Sequence, residues 1–303
     1  MLGLFEASPV SKHFPIVPKI LSRLPQAVMG IINPAFVPFF ETQSLIAAQA
    51  RKVWLEEKAR DMSKMTENVK PRSIFHGIMQ SSLEDEEKSL PRMVDEAFVL
   101  IVAGGETTAR VTTVTLAHLL QNKHLLTRLR TVLDKLDVVS QLPTSRQLEE
   151  IPLMTAVVQE GLRIAAPVTN SAKLIAPNED LECHGWSIPR GTPCSMNIQT
   201  VLFDPDIFPE PHAFDPDRWL RGAERGERLD RYLVTFSKGT RACLGTNVAY
   251  AELYIGIAAI VARFDLELVD FDRKRDIEIV RDCFIGLPSK ESRGVRVKLR
   301  VRE

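Results

Sequence analysis

The chain has 303 residues, 45% hydrophobic and 26% charged, which suits a globular protein with a sizeable buried core. Lys plus Arg and Asp plus Glu both number 39, so no excess of positive charge points to nucleic acid. Cys183, Cys194, Cys243 and Cys283 lack CxxC spacing, which argues against a structural zinc site or a disulfide framework and for a reducing, intracellular compartment. There is no run of about eighteen apolar residues and no basic stretch leading into an apolar one, so neither a transmembrane helix nor a secretory signal is expected.

Residues 1–40 are rich in proline and carry Phe5, Phe14, Phe36, Phe39 and Phe40. Two readings stand: core packing and loop, or a surface at residues 24–40 that dips into a bilayer interface. From about Phe39 to Met65 the pattern is helical, with apolar residues at Phe40, Leu45, Ala48 and Trp54. A polar break at Thr66–Arg72, a short helix from Ser73 to Ser81 and a solvated loop at Leu83–Lys88 follow.

A long helix is expected from Pro91 to Leu120, capped by Ser89, and apolar on every side between Ala97 and Ala103 as a helix through the middle of a protein would be. It contains Ala103-Gly-Gly-Glu-Thr-Thr108. Each glycine in a helix interior costs about 1 kcal/mol relative to alanine. Two threonines and a buried acid add to that, so either a ligand or a local distortion is expected beside the segment. A tight helix crossing explains the glycines but leaves Glu106 without a role.

Asn122 caps a helix over Lys123–Leu136, Thr144 or Ser145 starts a single turn through Glu150, and Pro152 opens a helix to about Ala165. The last contains Glu160-Gly-Leu-Arg163, an i, i+3 pair that on an exposed helix contributes only a few tenths of a kcal/mol. Short strands are expected at Ser171–Ala176, Leu181–Cys183 and Pro193–Asn197, then an ordered meander over Phe203–Trp219 that ends in Phe214-Asp-Pro-Asp-Arg-Trp219. Phe236-Ser-Lys-Gly-Thr-Arg-Ala-Cys-Leu-Gly245 puts a cysteine at the mouth of a helix running from Gly245 to Phe264. Gly239 permits a backbone reversal there, and the helix dipole favours a thiolate. A buried, inert cysteine is the bland alternative. Strands are expected at Asp265–Asp270, Ile277–Val280 and Val295–Val301, with a loop at Cys283–Pro288.

Phe-x-x-Gly-x-Arg-x-Cys-x-Gly resembles the haem-ligand loop of the cytochromes P450. Ala103–Thr108 resembles their oxygen-binding segment, Glu160–Arg163 their Glu-x-x-Arg motif, and Phe214–Trp219 their Phe-x-Pro-x-Arg-Trp motif. The four stand in family order across about Pro91–Val301. The resemblance implies a mainly α fold with small β-sheets (α+β), the C-terminal part of the P450 fold. Residues 1–90 would be an F/G/H-helix-like region and 91–303 the core from the I helix to the haem ligand, within a single domain. It also implies haem b held by Cys243 as axial iron ligand, with Phe236 and Gly245 beside the sulfur and Arg241 on a propionate. Thr107 would place a hydroxyl beside dioxygen and Glu106 would relay protons, while Glu160, Arg163 and Arg218 would form a buried charge cluster. Phe98, Val102, Ala103, Val168, Thr169, Phe284 and Ile285 would face substrate. Arg231–Gly239 and Asn247–Leu253 resemble fungal P450s of secondary metabolism, the trichodiene-oxygenase kind.

The implied function is a haem-thiolate monooxygenase that inserts one atom of O2 into a lipophilic molecule, with electrons from NADPH through cytochrome P450 reductase, at the cytosolic face of the endoplasmic reticulum or unanchored in the cytoplasm. Two departures stand beside it. By the resemblance this stretch of sequence is expected to start near the family's F–G region, after its N-terminal anchor and first sheet strands, and Val168-Thr-Asn-Ser171 replaces an expected propionate-binding Arg or His, leaving Arg241 as the one propionate ligand that can be named. The alternatives are a peroxide rearrangement, against which the Glu106–Thr107 pair argues, a truncated haem-free remnant, and, distantly, a zinc module at Cys183-His184.

Overall fold

The computed structural model describes residues 8–14, 16–21, 23–32, 34, 36–59, 73–136, 138, 141–171 and 173–302. Phe5, the polar break at Thr66–Arg72 and the expected helix end at Met65 lie outside the described residues. The chain divides into two compact units, residues 1–106 and 107–303, with the division falling within one helix.

The first unit holds α1 (Ser8–His13), α2 (Ile16–Leu21), α3 (Gln26–Ile32), α4 (Phe36–Ala59), α5 (Ile74–Gln80) and the start of α6 (Leu90–Gln121). Helix α4 accommodates Pro38 in its first turn, where the missing N–H has no helical partner to lose. Ile46 and Ala50, one turn apart, are buried against Ala97 with Phe75, Val94 and Phe98 around them. Leu45, expected among the helix's apolar positions, is 70% exposed, because the stripe that packs is the one through Ile46. Ser73 caps α5 by accepting from the His76 N–H, and the Trp54 indole donates to the Lys88 carbonyl at 3.0 Å. Within residues 24–40, Met29 is buried while Leu24, Val28, Ile31 and Val37 are exposed.

The Ala97–Ala103 stretch differs from the enclosed segment expected. Ala97 is buried, but Val99 and Ile101 are about half exposed. Val94, Ala97 and Phe98, at i, i+3 and i+4 spacing, pack in the cluster around Ile46 and Ala50. Helix α6 is nonetheless the one helix among the described residues long and apolar enough to cross a membrane by length and composition.

The second unit is built on a helical core. The later half of α6 supplies Val111, Val114, Ala117 and Leu119, and α7 (Lys123–Asp134) supplies Leu125, Leu129 and Leu133. Helix α8 (Ser145–Glu149), α9 (Pro152–Ala165) and α12 (Thr246–Arg263) complete it with Leu148, Met154, Val157, Val158, Leu162, Ile257 and Val261. Local sequence sets the starts: the Asn122 side chain accepts from Leu125 N–H, and Thr144 with Gln147 forms a reciprocal capping box. Gly161 is where α9 meets α6, and a Cβ built there lies 2.1 Å from Thr115 Oγ1.

Among the described residues, four two-stranded antiparallel sheets accompany this core. β1 (Leu174–Ile175) pairs with β4 (Pro193–Cys194), and β2 (Leu181–Cys183) with β3 (Trp186–Ile188) through a His184-Gly185 turn with φ of 48° and 81°. β3 is an addition to the sequence expectation. The meander begins after α10 (Ile198–Leu202), and its last three residues belong to α11 (Asp217–Glu224), where Pro216 precedes the helix and Asp217 sits at its positive end. β5 (Phe264–Val269) pairs in full register with β8 (Arg296–Val301), and β6 (Arg281–Cys283) with β7 (Ile285–Leu287). The strand expected at Ile277–Val280 is absent. Instead Asp272 caps a short helix α13 (Arg273–Asp276) by accepting from Arg275 N–H, and pairing resumes only at Arg281.

Candidate active site

The segment before α12 forms a closed loop around its cysteine. Ser237 (φ 60°) and Gly239 (φ 78°) both take left-handed backbone, so the reversal uses a serine as well as the glycine the sequence pointed to. The Cys243 N–H donates to the Phe236 carbonyl at 2.9 Å, joining the two ends of the loop. The Phe236 ring packs 5.3 Å from Tyr250 on α12. Thr246 Oγ1 donates to the Cys243 carbonyl at 2.9 Å, and a Cβ on Gly245 would sit 3.9 Å from the sulfur.

The thiol itself is exposed and in no disulfide. Arg241, two residues earlier, is also exposed and has no carboxylate or carbonyl partner among the described residues. Leu244 is 93% and Val248 60% exposed. The sulfur, the guanidinium and the Leu244 and Val248 side chains are all accessible on this loop and the first turn of the helix that follows it.

On α6, the helix continues without interruption through Gly104 and Gly105, so the expected local distortion is not present. A Cβ at either glycine meets nothing within 4 Å, so the glycines do not serve a tight crossing among the described residues. Glu106 is half-buried rather than fully buried, as is Thr107. The sequence reading missed Arg110, one turn on. Its Nη2 donates to the Ile277 carbonyl at 3.1 Å and its Nε to the Ala165 carbonyl at 3.4 Å. Burial lowers its pKa to about 10, still fully charged at neutral pH. A cation on an otherwise apolar helix face was the signal available.

The residues expected to face substrate fall into two groups. Phe98 is half-buried with its ring edge-on to Phe39 at 5.3 Å, Val102 is half-buried and Ala103 exposed. In the other unit, Val168 bridges to Ile285 across an antiparallel pair, Thr169 and Ile285 are buried, and Phe284 is 46% exposed. The structure thus brings Val168, Thr169, Phe284 and Ile285 together.

Glu160, Arg163 and Arg218 form one cluster in the interior, with Glu160 and Arg163 fully buried and Arg218 6% exposed. Arg163 grips the carboxylate with its planar fork, Nε to Oε2 at 2.9 Å and Nη2 to Oε1 at 2.8 Å. Arg218 Nε adds a bond at 3.2 Å, Asp215 N–H one at 2.9 Å, and the Trp219 indole one at 2.9 Å. The remaining guanidinium protons go to backbone carbonyls: Leu202, Pro211 and Ala213 from Arg163, and Pro209 and Glu210 from Arg218. The cluster therefore staples the meander onto α9. Trp219 and the carbonyl acceptors are members that pattern alone did not identify.

A family model described as cytochrome P450 matches residues 18–292. The chain is 38% identical to cytochrome P450 monooxygenase pbrB of Penicillium brasilianum, over 97% of this chain and 57% of the relative. It is 32% identical to cytochrome P450 monooxygenase TRI4 of Trichoderma arundinaceum, over 98% and 57%. The chain thus spans a little over half the length of these curated relatives. Among solved structures, a zebra fish cytochrome P450 with progesterone is similar at a TM-score of 0.66 and 25% identity, covering 85% of this chain and 57% of that one. A retinoic acid-bound cyanobacterial CYP120A1 has the same fold, with a TM-score of 0.66, 24% identity, and 86% and 56% covered. With a family match across nine-tenths of its length, mainly helical architecture and small sheets, the chain belongs to the cytochrome P450 family.

Proposed function

We propose that this chain carries the thiolate-ligand and oxygen-side machinery of a fungal secondary-metabolism monooxygenase acting on a lipophilic small molecule. The observation that carries the reading is the Cys243 loop: an exposed thiol fixed by its own N–H, beside an unpaired Arg241 and exposed Leu244 and Val248. That donor set fits haem, with sulfur for iron, guanidinium for a propionate and apolar side chains for the ring. Haem, when bound, supplies the activation of O2, with two electrons from NADPH through a reductase, so that one oxygen atom enters a substrate C–H bond and the other leaves as water.

Every other role belongs to the chain. Cys243 binds as thiolate, its orientation set by the bond to the Phe236 carbonyl and by Phe236 packing on Tyr250. Arg241 neutralises a propionate. The Thr107 hydroxyl and Glu106 carboxylate pass protons to the oxygen that becomes water; Gly104 and Gly105 leave their side of the helix without Cβ bulk. Arg110 fixes α6 against the ends of α9 and α13 three residues beyond Thr107. Val168, Thr169, Phe284 and Ile285 line the substrate side of the second unit.

Titrating the purified chain with haem tests the reading. Saturable binding near one haem per chain is expected, with Arg241→Ala weakening it roughly tenfold, the factor for one hydrogen bond to a charged group. Absence of saturable binding, or equal binding by Cys243→Ala with unchanged optical spectrum, would overturn it.

A further inference from the structure

Phe284 sits at the one-residue tip between β6 and β7 with φ of +72°, the highest among the described non-glycine residues in the left-handed region. Glycine is the ordinary occupant of such a position. A bulky residue stays there only when its surroundings over-determine it, and here they do. Asp282 Oδ1 accepts from the Phe284 N–H at 3.2 Å and from the Thr169 hydroxyl at 2.6 Å. The Phe284 carbonyl accepts from the Thr169 N–H at 3.1 Å and the Asn170 N–H at 3.3 Å. Both polar groups of the strained residue are therefore tied, one through a carboxylate and one through the segment after α9.

Thr169 joins these restraints. It is 8% exposed, and its hydroxyl, with a single proton, goes to the shorter bond at Asp282 rather than to the Phe284 carbonyl at 3.4 Å. Its methyl lies where a Cβ on Gly286 would be 2.9 Å away, so Gly286 is required for the threonine to reach. Gly286 N–H in turn donates to the Pro167 carbonyl at 2.9 Å. The outcome is an aromatic residue, 46% exposed, on a backbone tied at both its N–H and its carbonyl.

We infer that Asp282 and Thr169 are positioning residues that aim the Phe284 ring, and that the aimed ring selects among apolar ligands by shape. This rests on the monooxygenase reading for placing Phe284 against substrate. The restraint acts through hydrogen-bond geometry, not through the charge of Asp282. An asparagine keeps an acceptor oxygen and retains the effect; valine at 169 keeps the shape of threonine and loses it.

The test uses the full chain loaded with haem, and two apolar probes of different shape: retinoic acid, elongated, and progesterone, rigid and polycyclic. Equilibrium dialysis gives the ratio of their dissociation constants, and hydrogen exchange reads the Phe284 amide. In Thr169→Val and Asp282→Ala, exchange at that amide is expected to rise about fivefold, the factor for one lost hydrogen bond. The dissociation-constant ratio is expected to move by at least roughly fivefold. Asp282→Asn should leave both near wild type. In a Phe284→Ala background, adding Thr169→Val should no longer move the ratio. Unchanged exchange in Asp282→Ala overturns the restraint, and faster exchange with an unchanged ratio overturns the role in selection. A wild-type chain that binds neither probe also overturns the role in selection. Failure of the underlying reading is seen separately, as a loss of the thiolate-type carbon monoxide spectrum in the same preparation.

Discussion

Arg163 gives the sharpest stability test in the chain. Replacing it with alanine leaves the Glu160 carboxylate buried with one cation instead of two, since Arg218 remains at 3.2 Å. It also orphans the carbonyls of Leu202 and Pro211, leaves Ala213 with its longer bond from Arg218 alone, and removes a guanidinium stacked 5.1 Å from the Phe208 ring. Breaking a buried pair typically costs about 3–5 kcal/mol, and orphaned buried carbonyls push toward the upper end. Against a net stability of about 5–15 kcal/mol for a folded protein, that is a large fraction. The control is Arg128, whose bidentate pair with Asp217 has two bonds at 2.8 Å but is about a third exposed on both sides. Such a pair contributes about 0.2–1 kcal/mol. Trp219 fluorescence during thermal unfolding reports on the cluster directly, because its indole is one of the bonds to Glu160. The expected fall is roughly 10 °C for Arg163→Ala and no more than about 3 °C for Arg128→Ala. Comparable shifts in the two variants would refute the argument that burial, rather than geometry, sets the value of these pairs.

Gly161→Ala should destabilise by about 1–3 kcal/mol, because its Cβ would overlap Thr115 Oγ1, and Thr115→Ala should restore most of the loss in urea titrations of the double variant. His118, stacked flat on Phe214 at 4.8 Å, has its pKa lowered to about 4 by burial, with Arg273 and Arg163 adding to the effect. Its unfolded value is about 6.5, so the unfolded chain binds the extra proton first: stability is unaffected above that pH and falls by up to about 3 kcal/mol as pH drops to about 4. The urea midpoint should track that window in the wild type and flatten in His118→Phe. Thr107→Val should keep consuming NADPH while releasing hydrogen peroxide in place of oxygenated product; unchanged stoichiometry would make this threonine a packing residue.

The sequence was most legible where chemistry is carried by a short run of neighbours. Asn122, Thr144 and Ser73 mark helix starts because a cap depends on residues three or four apart. The Glu160-x-x-Arg163 run, read in isolation as a solvated pair, is buried at the centre of a network because the meander folds over it, bringing in Asp215, Arg218 and Trp219 from more than fifty positions away. Periodicity did not show which stripe of α4 packs: Leu45 and Ile46 are equally apolar, and only the tertiary partner Ala97 distinguishes them. The short strands beyond α12 were blurred for a similar reason. Ile277–Val280 alternates like a strand, but the Asp272 cap and the Arg275–Asp276 pair impose a helical turn just before it. Ser237 and Asp282 carried no recognisable signal: the first is set by a backbone angle and the second by a bond to Thr169, 113 positions away, and composition reveals neither.

The central claim is that Cys243 is the iron ligand. The most direct measurement is the spectrum of the haem-loaded chain, reduced under carbon monoxide, for the wild type and for single serine replacements of Cys183, Cys194 and Cys243. The account predicts the red-shifted Soret band of thiolate ligation in the wild type, in Cys183→Ser and in Cys194→Ser, and its loss in Cys243→Ser alone. Retention of that band in Cys243→Ser, or its loss in either of the other variants, would contradict the account.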